Sequence, residues 1–172
     1  MIMNAPSRGA LVDALSLRGI GFLDSEPDEA RAPLTNAELI AGLATSPDPR
    51  LRNALALLFV RRPELAEGVP AALAVLPPGP GMTLREQYSA AVYLQHMWHT
   101  RLGLYLPGMA QLPDLFTAEL GLPRPEERFG LSGLRALELR SGFNLTSSYD
   151  TMMALLFDQL RRERIDEPAP AG

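Results

Sequence analysis

The sequence has no cysteine and no lysine, only two histidines and one tryptophan, and no long apolar run. Without cysteine, disulfides, thiolate nucleophiles and cysteine-ligated metals are excluded together. Without lysine, Schiff-base catalysis and the phosphate-binding P-loop are excluded, since each needs that amine. All 16 basic residues are arginine, a bias that GC-rich codon usage produces and that favours bidentate pairing and stacking. The longest apolar stretch, 54–60, falls far short of the roughly 20 residues needed to cross a bilayer. The first residues lack a charged segment followed by an apolar core, so a secretory signal is not expected. The expected location is the cytoplasm, with no membrane partner. A net charge of −4 does not supply the concentrated positive face that binding to a phosphate backbone requires. A nucleic-acid-associated regulator is therefore only a distant alternative. No nucleophile elbow, dinucleotide fingerprint or His-Glu-x-x-His pattern occurs, so no catalytic residue is assigned and no cofactor is expected.

What remains is ordinary globular composition: 172 residues, 47% apolar and 21% charged, enough for one domain to bury about two-thirds of its unfolded surface. No stretch alternates apolar and polar residues long enough for a strand. The expected fold is all-α, a single compact domain of five to eight helices around a buried central helix at 83–106. Residues 1–34 read as a flexible segment with a short helix near 8–18, because 24–33 holds two prolines and four acids. The helical domain spans 35–165, and 166–172 reads as a disordered tail.

Within that domain Thr35-Asn36-Ala37-Glu38 fits a capping box. Pro49 suits the first turn of the next helix, where Leu51, Ala54, Leu55, Leu58 and Phe59 follow helical spacing. A third helical piece at 64–76 is expected to split at Gly68 and Pro70. Five breakers at 77–81 divide the chain, and Thr83-Leu84-Arg85-Glu86 repeats the capping-box pattern. A two-turn helix is expected at 113–120, ending at Gly121. A short helix at 134–140 closes at Ser141-Gly142, and the last helix runs over 147–164.

The central segment holds three of the four tyrosines, the tryptophan and both histidines. At about 100° per residue, Arg85, Ser89, His96 and Thr100 share one polar stripe and the rest of the girth is apolar, the signature of a buried helix. Trp98 and Tyr105 are candidate contact residues, as is Arg101, which needs an aromatic face or a carboxylate from Glu86 or Asp114. Tyr88 is placed to reach Gln95 or His99. His96 and His99, three apart, are candidate ligands for half a zinc site, with Glu119, Glu126 or Glu127 completing it. Arg161, Arg162 and Arg164 form the densest basic spot, with Arg61-Arg62 next.

The Asp48-Pro49-Arg50-Leu51-Arg52 turn resembles that of a HEAT-like helical pair. Together with Ala90-Ala91-Val92-Tyr93-Leu94-Gln95, Arg101-Leu102-Gly103-Leu104-Tyr105, Leu112-Pro113-Asp114-Leu115-Phe116 and Glu119-Leu120-Gly121-Leu122-Pro123, it also resembles a family of short all-helical bacterial proteins of uncharacterised activity. Members of that family accompany nucleotidyltransferase-like proteins, which implies an antitoxin-like or accessory role and brings no catalytic residue with it. The expected function is a non-enzymatic protein–protein interaction module using Trp98, Arg101, Tyr105, Arg161, Arg162 and Arg164. The alternative is a small-molecule- or metal-binding domain using His96 and His99.

Overall fold

The computed structural model describes residues 5–21, 23, 33–142 and 145–167, with helices throughout and no strand among them. The helices are α1 (Arg8–Leu17), α2 (Asn36–Thr45), α3 (Pro49–Arg61), α4 (Val69–Val75), α5 (Pro78–Met97), α6 (His99–Tyr105), α7 (Leu131–Ser141) and α8 (Leu145–Asp166). A 3-10 turn, Pro63–Gly68, precedes α4, and a turn at Glu127–Gly130 with Arg128 and Phe129 left-handed precedes α7. No helix among the described residues is long and apolar enough to cross a membrane.

Local chemistry sets the early helices. Thr35 Oγ1 accepts from Glu38 N while Glu38 Oε2 accepts from Thr35 N, so the expected capping box opens α2. Asp48 caps α3 by accepting from Arg50 N, with Pro49 in the first helical position. Every residue of 54–60 is buried, so this part of α3 packs on all sides. The expected split near Gly68 is present, a 3-10 turn passing into α4.

The centre is the α3–α5 pair, with α2 against α3, α4 and α5 and with α7 and α8 closing the other side. Residues 87–95 of α5 are all buried. Phe59, Tyr88 and Phe116 meet edge to face, with centroids 5.0 and 5.5 Å apart. Helix α1 belongs to this core as well: Leu11, Val12, Leu15 and Ile20 are buried in it. The core therefore begins ahead of Thr35. Residues 1–4, 24–32 and 168–172, including most of the acidic stretch and the expected tail, lie outside the described residues.

The central helix differs from expectation at both ends. It starts at Pro78 rather than Thr83, because prolines in a first turn forfeit only N–H groups that have no intrahelical partner. Gly81 N already bonds Pro77 O at 2.9 Å. Thr83 is consequently inside the helix, and its hydroxyl donates to Gly79 O at 3.4 Å rather than capping. At the other end Trp98, with φ −106° and ψ 16°, separates α5 from α6. The polar stripe is not uniformly wet either, since Ser89 is buried and its hydroxyl donates to Arg85 O at 2.9 Å.

No helix forms over 113–120. Side chains of α5 hold the segment instead: one takes Pro113 O, the acceptor of what would be the first intrahelical bond, and the others anchor the flanks. Gln95 Oε1 accepts from Leu112 N at 2.8 Å, and the Gln95 amide donates to Ala110 O at 3.4 Å. The Tyr88 hydroxyl donates to Pro113 O and the Tyr93 hydroxyl to Pro123 O, both at 2.7 Å. What survives is one turn, capped by Asp114 and finished at Gly121 with φ +65°. The segment from 107 to 126 is thus a strap laid across α5.

Candidate functional site

At the α5–α6 break three aromatic rings from two parts of the chain converge. Phe157 of α8 stands 5.5 Å from the Trp98 ring and 6.1 Å from the Tyr105 ring. Trp98, at the break, and Tyr105, seven residues on, both face α8. Phe157 is buried, while Trp98 and Tyr105 are half-buried. The indole N–H of Trp98 is buried without a hydrogen-bond partner among the described residues, a rarity in folded proteins.

Two guanidinium groups sit on these rings. Arg101 Cζ lies 4.1 Å from the Phe157 centroid and 6.0 Å from that of Trp98. Arg164 Cζ lies 5.9 Å from the Tyr105 ring, and its Nη1 donates to Leu104 O at 2.9 Å. Neither arginine makes an ion pair among the described residues, whereas Arg8, Arg61, Arg62, Arg85 and Arg140 each hold a carboxylate. Arg101 is exposed rather than buried. The carboxylates expected as its partners are engaged elsewhere, Glu86 with Arg140 and Asp114 with Thr117. Arg101 takes the aromatic option.

Sign is sorted along α8. Glu163, itself exposed, pairs with Arg61 at 2.8 Å, while Arg161, Arg162 and Arg164 are exposed on the same helix. Burial alone would raise the Glu163 pKa; hydrogen bonds from Arg61 and Gln159 and the charges of Arg61 and Arg62 outweigh it and hold it below the usual value. Arg161 reaches Asp158 at 3.7 Å across one turn, an exposed contact of little energetic weight. A groove of about 760 Å³ runs beside the cluster, with Tyr105 in one wall and Arg61, Arg62, Glu64 and Glu67 in the other.

The histidines lie on either side of the break. His96 is half-buried and its Nε2 is 2.9 Å from the Gln111 amide nitrogen, while His99 is exposed on α6. Among the described residues no three His, Asp or Glu side chains gather where a metal would sit, and Glu119 is paired with Arg85. Tyr88 does not turn toward His99 or Gln95, because its hydroxyl is bound to Pro113 O. The Tyr93 hydroxyl is likewise bound, to Pro123 O. The residue that sequence reasoning missed is Phe157, eight positions after Tyr149 and four after Met153 on the same apolar face.

No protein-family model, no curated protein and no solved structure matches this chain.

Proposed function

We propose that the chain is a non-enzymatic, cytoplasmic interaction module that receives an acidic segment of another protein at Arg101 and Arg164. One observation carries this reading. Both guanidinium groups are seated on aromatic faces at the surface yet lack a carboxylate among the described residues, while most neighbouring arginines have one. Stacking fixes the plane of an arginine and leaves its N–H edge free for bidentate carboxylate recognition. Trp98 and Tyr105, half-buried beneath, supply the rigid aromatic surface on which interface energy concentrates. Arg161 and Arg162 extend the same sign along α8 and steer an acidic partner toward it. On this reading the α2–α3 pair is HEAT-like, and the resemblance to companions of nucleotidyltransferase-like proteins supports an antitoxin-like or accessory role beside a bacterial enzyme.

The test is affinity capture with the wild type and with the double variant Arg101→Gln, Arg164→Gln. Each exposed cation–π contact contributes about 0.5–1 kcal/mol, too little to unfold the domain when lost, so circular dichroism should stay native. A single stoichiometric partner should be retained by the wild type and lost by the variant, with retention falling as salt rises. Capture of nothing, or of a partner indifferent to both substitutions, overturns the reading.

A further inference from the structure

A second pocket, of about 460 Å³, opens between α3, α5, α7 and α8 and shares no lining residue with the arginine–aromatic cluster. Its volume falls within the usual range for small-molecule sites. One wall is a relay of uncharged side chains from three helices. The Tyr149 hydroxyl donates to Gln87 Oε1 at 2.6 Å, Gln87 Nε2 donates to Asn53 Oδ1 at 3.2 Å, and Asn53 Nδ2 donates to Ser148 Oγ at 3.1 Å. Tyr149 and Gln87 are buried, so the order of the relay is set from inside the core.

The relay uses acceptors and leaves donors over. A carboxamide has two N–H groups and one oxygen. The oxygens of Gln87 and Asn53 are both engaged, and each amide retains an N–H with no acceptor among the described residues. Arg52 adds to the same side of the pocket. One of its N–H groups goes to Ser46 O at 2.8 Å, and it makes no ion pair among the described residues. The pocket's one carboxylate, Glu86, is committed to Arg140 at 3.4 Å. Leu137 and Pro49 provide apolar lining. The spare hydrogen-bonding capacity of the two amides and Arg52 is therefore in N–H donors.

We propose that this pocket binds a small monocarboxylate, its two oxygens facing Arg52 and the free amide N–H groups of Asn53 and Gln87. A carboxylate is favoured over phosphate for two reasons. Guanidinium and carboxamide donors are planar and match a planar acceptor pair. With Glu86 neutralised by Arg140, the one remaining charge in the lining is that of Arg52, which balances a single negative charge and not two. The aliphatic part of the ligand lies against Leu137 and Pro49.

The experiment is a titration of the full-length, nitrogen-15-labelled protein with sodium butyrate, following the side-chain amide resonances of Asn53 and Gln87. Saturable shifts are expected, absent with sodium chloride at equal ionic strength. Arg52→Gln should weaken them at least about tenfold, the factor that 1.4 kcal/mol represents, while Arg101→Gln leaves them unchanged. Should Arg52→Gln not fold, Arg52→Lys keeps the charge without the fork and carries the same expectation. Shifts no larger than those from chloride, or equal in the Arg52 variant, overturn the site. Equal response to butyramide, or tighter binding of inorganic phosphate, overturns the carboxylate assignment.

Discussion

Tyr93 leaves its neighbours no room for a side chain. A Cβ on Gly130 would collide with the Tyr93 backbone carbonyl, and one on Gly133 would fall against the Tyr93 ring. The chain reaches this position through three successive left-handed residues, Arg128, Phe129 and Gly130, with φ of 50°, 56° and 88°. For two of these the conformation costs about 1–2 kcal/mol each. Close seating of α7 on the buried ring offsets that cost. Neither Arg128 nor Phe129 is held there by its own side chain, since both are exposed. Ring movement cannot relieve a clash at Gly133, because the phenol is tied to Pro123 O at 2.7 Å. Gly133→Ala should therefore destabilise the protein by about 1–3 kcal/mol, the usual penalty of overpacking, despite alanine's better helix propensity. Urea unfolding of the two proteins decides it. A variant equal to or more stable than the wild type would mean that α7 is free to move off Tyr93.

Among the elements, those governed by neighbours in the chain were legible and those governed by distant partners were not. Helices α2 and α3 were readable because a capping box, an aspartate cap, a first-turn proline and 3.6-residue periodicity all act within a few residues. The start of α5 was misread because Pro78, Gly79 and Pro80 break a helix interior but not a first turn. Its end at Trp98 carries no Gly or Pro, so nothing local in the sequence marks the break. Helical spacing singles out Trp98, Arg101 and Tyr105, and the density of basic residues singles out Arg164; the fold brings the four together beside Phe157. Helical spacing was not enough to find the relay, whose members Asn53, Gln87 and Tyr149 belong to three helices. The strap is the clearest case. Its turn signals at Asp114 and Gly121 operate, yet the segment is held to α5 by Gln95, Tyr88 and Tyr93, which are distant in sequence. Gln95→Leu should leave the Leu112 N–H buried and unpaired at a cost of about 1–3 kcal/mol. Hydrogen exchange should report it locally: the Leu112 amide speeds up strongly while amides in α3 slow or quicken only with global stability. Uniform acceleration across the molecule would show that the strap is not a separately held element.

At the scale of the whole molecule, three buried phenols tie separate layers to α5. Tyr88 joins it to Pro113 and Tyr93 to Pro123 in the strap, while Tyr149 of α8 reaches back to Gln87. All three have pKa values pushed well above the usual 10.0. Burial is the main cause in each. The Asp114 charge adds to it for Tyr88 and Tyr93, with Glu127 also acting on Tyr93; for Tyr149 the Gln87 hydrogen bond opposes it and the Glu86 charge adds. The sign of the linkage follows from the raised values. Below a pH of about 10 the unfolded chain also keeps these phenols protonated, so their contribution is complete. Above it the unfolded state releases protons that the folded state retains, and stability falls with each further step in pH. Because the three hydroxyls bridge different elements, their ionisation should be cooperative with loss of the fold rather than sequential. An alkaline titration followed together by tyrosinate absorbance and by circular dichroism should show ionisation of Tyr88, Tyr93 and Tyr149 coinciding with loss of helix. If these phenols ionise near pH 10 while the helical signal persists, the three ties do not hold the layers together.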